Sequence, residues 1–453
     1  MNKLSWWSNT QRMAARKKGS FTKPSQVMKQ LFYVFLLVPA FAGLTDSHAQ
    51  SSKEISVTLT PENGNYLYRT GETAILVVKV NAPAVIASTA RIRYRLSRNG
   101  IRTPIEGMLD LEEGKGSIKA TLEEPGFLRC DVSCIAGNDT LYAACGCGFS
   151  VEEIRPGGKS PENFDRFWRE AKAELIRIPV DAKLEEVAVV DPGDAKRFKV
   201  SLACVNGSRV YGWLHLPEGK GPFPTVLSIP GSGVGRTGRF AGFTEAGMAV
   251  LAIEIHGLEP QEQEIIGAAQ WIRPATDETR YFAGLQNGLL AGYHSFGIED
   301  PYRYYHRRSL QAAMRALDYL HTRNDVDTGR IIVFGGSQGG GLSLLTAAID
   351  KRVDAVVATV PAFCNNASRN DSHIPEVART LSYYDAALAA KRIEVPALIG
   401  VGFIDGTCLP SNVYAAYNNI KGPRRIENFY TFGHGSPPDW RSKTIKWMLE
   451  NIQ

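Results

Sequence analysis

The apolar run at residues 31–38 falls well short of the roughly 20 residues that span a bilayer. No acidic residue precedes Asp46, and no cysteine follows the apolar run to carry a bacterial lipid anchor. These absences argue against an anchor, and what remains has the order of a secretory signal. A basic region (Lys3, Arg12, Arg16, Lys17, Lys18, Lys23, Lys29) leads into a short apolar core, then into Ser47-His48-Ala49 with small residues where a signal peptidase reads. Cleavage is predicted after Ala49, with Met1 or Met28 as the start, so residues 1–49 are read as a signal peptide and the mature protein as periplasmic or secreted. The mature chain also lacks a net charge of either sign. The formal charge is +6, but residues 1–49 hold seven bases and one acid, so the remainder is formally neutral. With no arginine-aromatic patch either, nothing points to nucleic acid.

With 453 residues the chain is long enough for two domains. Short β-favouring runs at 55–59, 74–80, 90–96, 117–122, 127–135 and 141–151 are separated by turns such as Glu62-Asn-Gly64, Arg98-Asn-Gly100 and Gly137-Asn-Asp139. This spacing predicts an all-β, immunoglobulin-like sandwich over residues 50–154. No convergent set of ionisable residues stands out in it, so a spacer or packing role is favoured over carbohydrate binding. Four of the seven cysteines, Cys130, Cys134, Cys145 and Cys147, lie in its last hairpin. A single register cannot set Cys130 opposite Cys147 and Cys134 opposite Cys145 together, so one disulfide is expected at most without a bulge or diagonal pairing. A zinc site is disfavoured because these cysteines run along strands rather than around a knuckle. Cys204, Cys364 and Cys408 are read as small core residues.

Residues 155–161, rich in glycine and proline, form the predicted linker, with Ser160 as N-cap and Pro161 at the first position of the next helix. Over 162–453 strands and helices alternate: a hairpin at 198–216, strands at 225–229, 249–255, 331–334, 355–359, 397–402 and 425–432, and helices at 307–323, 342–348, 411–420 and the C-terminus. Such alternation predicts an α/β fold with a mainly parallel, doubly wound sheet.

Chemistry concentrates at Gly335-Gly336-Ser337-Gln338-Gly339. A buried strand delivers Ser337 to a glycine-lined corner, and a helix leaves it, which is what a nucleophile elbow requires. A serine hydroxyl needs a base, and the base needs an acid to fix its tautomer. His434, in Phe432-Gly-His-Gly435, follows the last predicted strand, and Asp405 sits where the 397–402 strand opens into a loop. The order Ser337, Asp405, His434 is that of α/β-hydrolases and of neither common protease class. The amide of Gln338 and that of Ser232, in the glycine-rich loop 230–235, are the predicted oxyanion donors. No lysine follows that loop in the Walker arrangement, so a phosphate loop is the weaker reading. No metal and no cofactor is called for.

These residues resemble the acetyl xylan esterase and cephalosporin C deacetylase family of α/β-hydrolases. Phe164-Asp-Arg-Phe-Trp168, Tyr304-Tyr-His-Arg, Gly335 to Gly340, Asp405 with a proline and serine shortly after, and Phe432-Gly-His434 carry the resemblance, over most of residues 156–453. It implies an α/β-hydrolase fold, a serine, aspartate and histidine triad without a metal, and an acetylated carbohydrate as substrate. It leaves homo-oligomer formation open. Two departures stand out: Gly435 replaces the family's glutamate, and His256-Gly257-Leu258 stands where the family has arginine-glycine-glutamine. An aromatic insertion with Trp271, Tyr281, Phe282, Tyr293 and Phe296 is read either as the wall of a sugar site or as a packed lid. Cleavage of other esters or peptides is the competing enzyme reading. A glycan- or partner-binding protein with a vestigial hydrolase domain is the competing reading of another class.

Overall fold

The computed structural model describes residues 55–82, 90–100, 104–136, 139–189, 193–234, 240–259, 284–368 and 373–452. The expected signal at 1–49, the turn residues Gly137 and Asn138, and Trp271, Tyr281 and Phe282 of the insertion lie outside them. Among the described residues no helix is long and apolar enough to cross a membrane.

The N-terminal strands form two sheets. β1 (Ser56–Pro61), β3 (Ala74–Asn81) and β6 (Lys115–Ala120) make one. The other runs β2 (Leu67–Tyr68), β8 (Asp139–Phe149), β7 (Gly126–Ala136), β4 (Arg91–Arg98) and β5 (Ile105–Leu109). Side chains alternate across a strand, and the inward sets of both sheets meet: Leu76, Val78 and Ile118 from one pack in a single cluster with Ile92, Val132 and Phe149 from the other. β2 and β5 were not anticipated. β2 has two residues, and β5 shows no buried position, so neither carries the alternation that marks a strand.

The register of the β7–β8 hairpin corrects the cysteine arithmetic. Cys130 faces Cys145, Leu128 faces Cys147 and Cys134 faces Leu141, so neither pairing considered from sequence is directly opposed. All seven cysteines are unbonded and buried.

The third sheet has nine strands in the order β17, β16, β15, β14, β12, β13, β11, β10, β9. β12 (Phe223–Ile229), β13 (Ala249–Glu254), β14 (Val326–Gly336), β15 (Ala355–Thr359), β16 (Ala397–Gly402) and β17 (Arg424–Phe429) pair in parallel. β11 (Arg209–Pro217), β10 (Asp194–Ala203) and β9 (Lys183–Val187) extend it antiparallel. β13, β15 and β16 are buried at every residue, as parallel strands covered on both faces must be.

Alternate residues of one strand enter different clusters. Leu227, Leu251, Val333 and Ile399 pack with α1 (Phe164–Ile176), α3 (Tyr305–Leu320) and α4 (Gln338–Ile349), whereas Val226, Val250, Ile332 and Leu398 pack with α2 (Ala241–Glu245) and α8 (Trp440–Asn451). Three helices, α5 (Pro375–Tyr383), α6 (Ala386–Ala389) and α7 (Pro410–Asn419), complete the layer nearest α4. α1 begins three residues later than expected. Its N-cap is Asn163 instead of Ser160, and Pro161 lies in the preceding turn, whose carbonyl accepts the amide of Phe164 at 3.1 Å. The last strand ends at Phe429, short of the expected residue 432, because the chain turns there: Phe432 N donates to Phe429 O at 3.1 Å.

Candidate active site

Ser337 joins β14 to α4 with φ 54° and ψ −121°, a conformation that costs a side-chain-bearing residue on the order of 1–3 kcal/mol. Neighbouring backbone holds it there. Ser337 N donates to Thr359 O at 2.9 Å, and its own carbonyl accepts Ala362 N at 2.8 Å and Gly341 N at 3.1 Å. The two flanking glycines are obligatory for close packing: a Cβ on Gly335 would collide with the backbone of Gly339, and one on Gly339 with the carbonyl of Ile229.

Asp405 follows β16 in a tight loop. Its Oδ1 accepts the amides of Thr407 (2.7 Å) and Cys408 (2.9 Å), which leaves Oδ2 to take Nδ1 of His434 at 2.8 Å. The carboxylate is fully buried, while His434 is about one-third exposed. A carboxylate held by backbone amides accepts only, so His434 donates through Nδ1–H and presents the Nε2 lone pair. That nitrogen lies 2.9 Å from Ser337 Oγ. The three residues expected from sequence are thus brought together by loops at the C-terminal ends of β14, β16 and β17.

Cys408 was read as a core residue. It is buried, but it belongs to this cluster: burial, followed by the charge of Asp405, pushes its thiol well above the usual range, while a hydrogen bond with Ser337 acts the other way. Its only sequence signal was its place three residues after Asp405. Among the described residues, Asp405, Cys408 and His434 are also the one group whose ligand-type atoms lie close enough to share a metal ion. Two of these three are already committed to the serine's hydrogen-bond chain.

On the other side of the serine lies the loop after β12, described through residue 234. Ser232 is exposed there, and its hydroxyl sits 3.1 Å from His294 Nε2 and 3.4 Å from the Tyr293 hydroxyl. Gln338 ties the loop to the elbow, since its Nε2 donates to Gly231 O at 3.2 Å and its Oε1 accepts the Tyr293 hydroxyl at 2.8 Å. The same tyrosine oxygen accepts Gly233 N at 3.1 Å. Tyr293, placed by sequence in an aromatic wall or lid, is therefore a buried brace under the loop; Phe296 is partly exposed and packs edge-on to Tyr305.

His256 supports the loop from beneath. Gly233 O can only accept, so His256 donates from Nε2 at 2.9 Å and takes the Tyr305 hydroxyl on Nδ1 at 2.8 Å. Burial lowers the imidazole to about 4, which keeps this neutral tautomer. Glu254, at the end of β13, is pushed up to about 8 by burial, partly opposed by the amides of His256 and Ile255. The partners of the His256 ring, Gly233 and Tyr305, are remote from it in sequence, and His256 stands out in the sequence only as a departure from a family motif.

A family model described as acetyl xylan esterase matches residues 150–371 and 366–451. Over 95% of this chain and 99% of that protein, the sequence is 30% identical to the acetyl esterase Axe7A of Xylanibacter ruminicola. Among solved structures, an acetyl xylan esterase from Paenibacillus sp. R4 is 27% identical with a TM-score of 0.56, covering 66% of this chain and 98% of its own. Acetyl xylan esterase 1 from Thermoanaerobacterium sp. JW/SL YS485 gives 25% and 0.56, with coverage of 67% and 98%.

Proposed function

Because the chain belongs to the acetyl xylan esterase family and is a carboxylic ester hydrolase of the α/β-hydrolase type, we propose that it removes O-acetyl groups from xylan-type polysaccharides or acetylated oligosaccharides through an acyl-enzyme. The observation that carries this reading is the single imidazole bridging Ser337 Oγ at 2.9 Å and Asp405 Oδ2 at 2.8 Å.

In the first half of the reaction Ser337 Oγ attacks the acetyl carbonyl as its proton passes to His434 Nε2. Asp405 holds the imidazole in the required tautomer and stabilises the imidazolium. The negative oxygen of the tetrahedral intermediate falls to the amides of Gln338 and Ser232. Collapse breaks the bond to the sugar oxygen, which takes the proton back from His434. Water, deprotonated by the same nitrogen, then attacks the acetyl-serine; collapse breaks the bond to Ser337 Oγ, which takes the proton from His434 as acetate leaves. The residues need no metal for either half.

The same reading takes residues 50–154 as an immunoglobulin-like sandwich, 155–161 as a linker and 162–453 as the catalytic domain, exported behind a signal at 1–49. The buried cluster shared by the two N-terminal sheets supports the sandwich. The test is acetate release from acetylated xylan. Wild type should release it, and Ser337→Ala should lose at least about 1,000-fold in kcat. A wild type inert on acetylated sugars and short aryl esters would overturn the proposal, and cleavage of peptides without deacetylation would move the substrate to another class.

A further inference from the structure

We propose that Arg129, on β7 of the N-terminal sheets, is a positioning residue for the acid of the triad, so that the N-terminal unit completes the catalytic centre. The assignment rests on the esterase reading above.

Arg129 Nη1 donates to the carbonyl of Ile404 at 2.7 Å, and Ile404 is the residue immediately before Asp405. On the other flank of the acid, the space a Cβ on Gly406 would fill lies 3.6 Å from the same nitrogen. One guanidinium therefore brackets the backbone on both sides of Asp405. Its own aim is fixed by Asp131, whose Oδ1 accepts Nε at 2.9 Å and lies 2.8 Å from Nη2. A planar guanidinium engaged through one edge by a carboxylate has its remaining donors set in direction.

The neighbouring contacts agree. Phe403 packs edge-on against Phe127 of β7, with ring centroids 4.9 Å apart. Gly146 of β8 lies against the carbonyl of Phe403 so closely that a Cβ there would collide with it. From its own domain the loop receives longer hydrogen bonds: Ile404 N to Phe432 O at 3.2 Å and Asp405 N to Gly402 O at 3.3 Å. The carboxylate's other oxygen is held only by amides of the same loop, at Thr407 and Cys408, which move with it. A displacement of the loop is thus passed directly to the Asp405–His434 pair. Misplacement of a catalytic group by about 1 Å can cost on the order of 100-fold in rate.

The experiment uses the full chain in four forms: wild type, Arg129→Met, Arg129→Lys and, as a control, Arg98→Met. The Arg98 guanidinium binds Glu124 and Pro125 within the N-terminal unit. Three quantities are read: kcat and KM on p-nitrophenyl acetate, the rate of fluorophosphonate labelling of Ser337, and Tm. Arg129→Met should lower kcat and the labelling rate by roughly 10- to 100-fold with KM within about two-fold of wild type. Arg129→Lys, which keeps the charge and one donor, should recover part of that loss, and Arg98→Met should leave kcat and labelling near wild type. If Arg129→Met does not fold, an intermediate kcat in a folded Arg129→Lys carries the same conclusion, and a wild-type kcat in it overturns the assignment. A wild type that labels while Arg129→Met labels as fast overturns the assignment alone, as does an equal loss in Arg98→Met. A wild type that neither labels nor hydrolyses overturns the esterase reading, and this assignment with it.

Discussion

The Tyr293 hydroxyl donates to Oε1 of Gln338 at 2.8 Å, linking a segment far from the serine in sequence to the first residue of the helix behind it. Because the same oxygen accepts Gly233 N, it fixes the loop that carries Ser232 relative to the elbow. Tyr293→Phe keeps the ring against His256 and leaves the half-buried Gly233 amide and Gln338 Oε1 without this partner, a loss of about 1 kcal/mol. The expected result is a roughly 10-fold lower kcat with little change in KM, smaller than the roughly 100- to 1,000-fold typical of removing an oxyanion donor itself. Steady-state kinetics on a short aryl acetate check it; an unchanged kcat would remove the brace from the account.

Gly339 and Gly336, two glycines of one turn, should respond oppositely to alanine. A Cβ at Gly339 would run into Ile229 O, whereas one at Gly336 would meet only Thr359, at 3.8 Å and beyond. Gly339→Ala should lose activity and about 1–3 kcal/mol of stability, while Gly336→Ala should stay within roughly 0.5 kcal/mol of wild type. Urea midpoints and kcat for both variants are the measurement.

Glu254 makes stability depend on pH in the alkaline direction. Its folded-state value of about 8 lies above the ordinary 4.5, so the folded protein keeps a proton that the unfolded chain has released. The stability this group contributes is complete below about 4.5 and is lost as pH rises through about 8. Its neighbour His256, lowered to about 4 from 6.5, works the other way: its contribution is present above about 6.5 and is lost as pH falls towards about 4. Glu254→Gln should therefore gain on wild type by a few degrees in Tm between about pH 5.5 and about pH 8.5. A constant difference in Tm across that range would contradict the assignment.

Cys130 and Cys145 are register partners, both almost wholly buried. Oxidation of this hairpin during refolding in a glutathione redox buffer is expected to join these two, with oxidised glutathione taking the two electrons. Peptide mapping without reductant would show the bond. A Cys134–Cys145 link would mean that the hairpin folds in another register, since Cys134 faces Leu141 in this one.

Much of the frame was legible because it is local. Residues 355–358 and 397–402 are runs of apolar residues and glycine, with Asp354 and Pro361 flanking the first and Pro396 leading into the second, so both strands stand out in the sequence. The strand, turn and helix around Ser337 are likewise contiguous, and the placement of Asp405 and His434 after successive strands follows from chain order. What escaped notice has weak or distant signals. β9 pairs with β10, yet four of its five residues are exposed, so no apolar face marks it. Tyr293, His256 and Cys408 act through contacts with segments remote in sequence, and each residue type alone is equally at home in a core. Register escaped as well, since a one-residue slip of β7 against β8 moves every cross-strand partner.

Gly146 gives the contact between the N-terminal sheets and the nine-stranded sheet an unusual stringency. Here a bare backbone position of one unit lies against the main chain one step from the acid loop of the other, leaving no slack for a methyl group. A saturation screen for lost turnover should therefore register hits at this glycine.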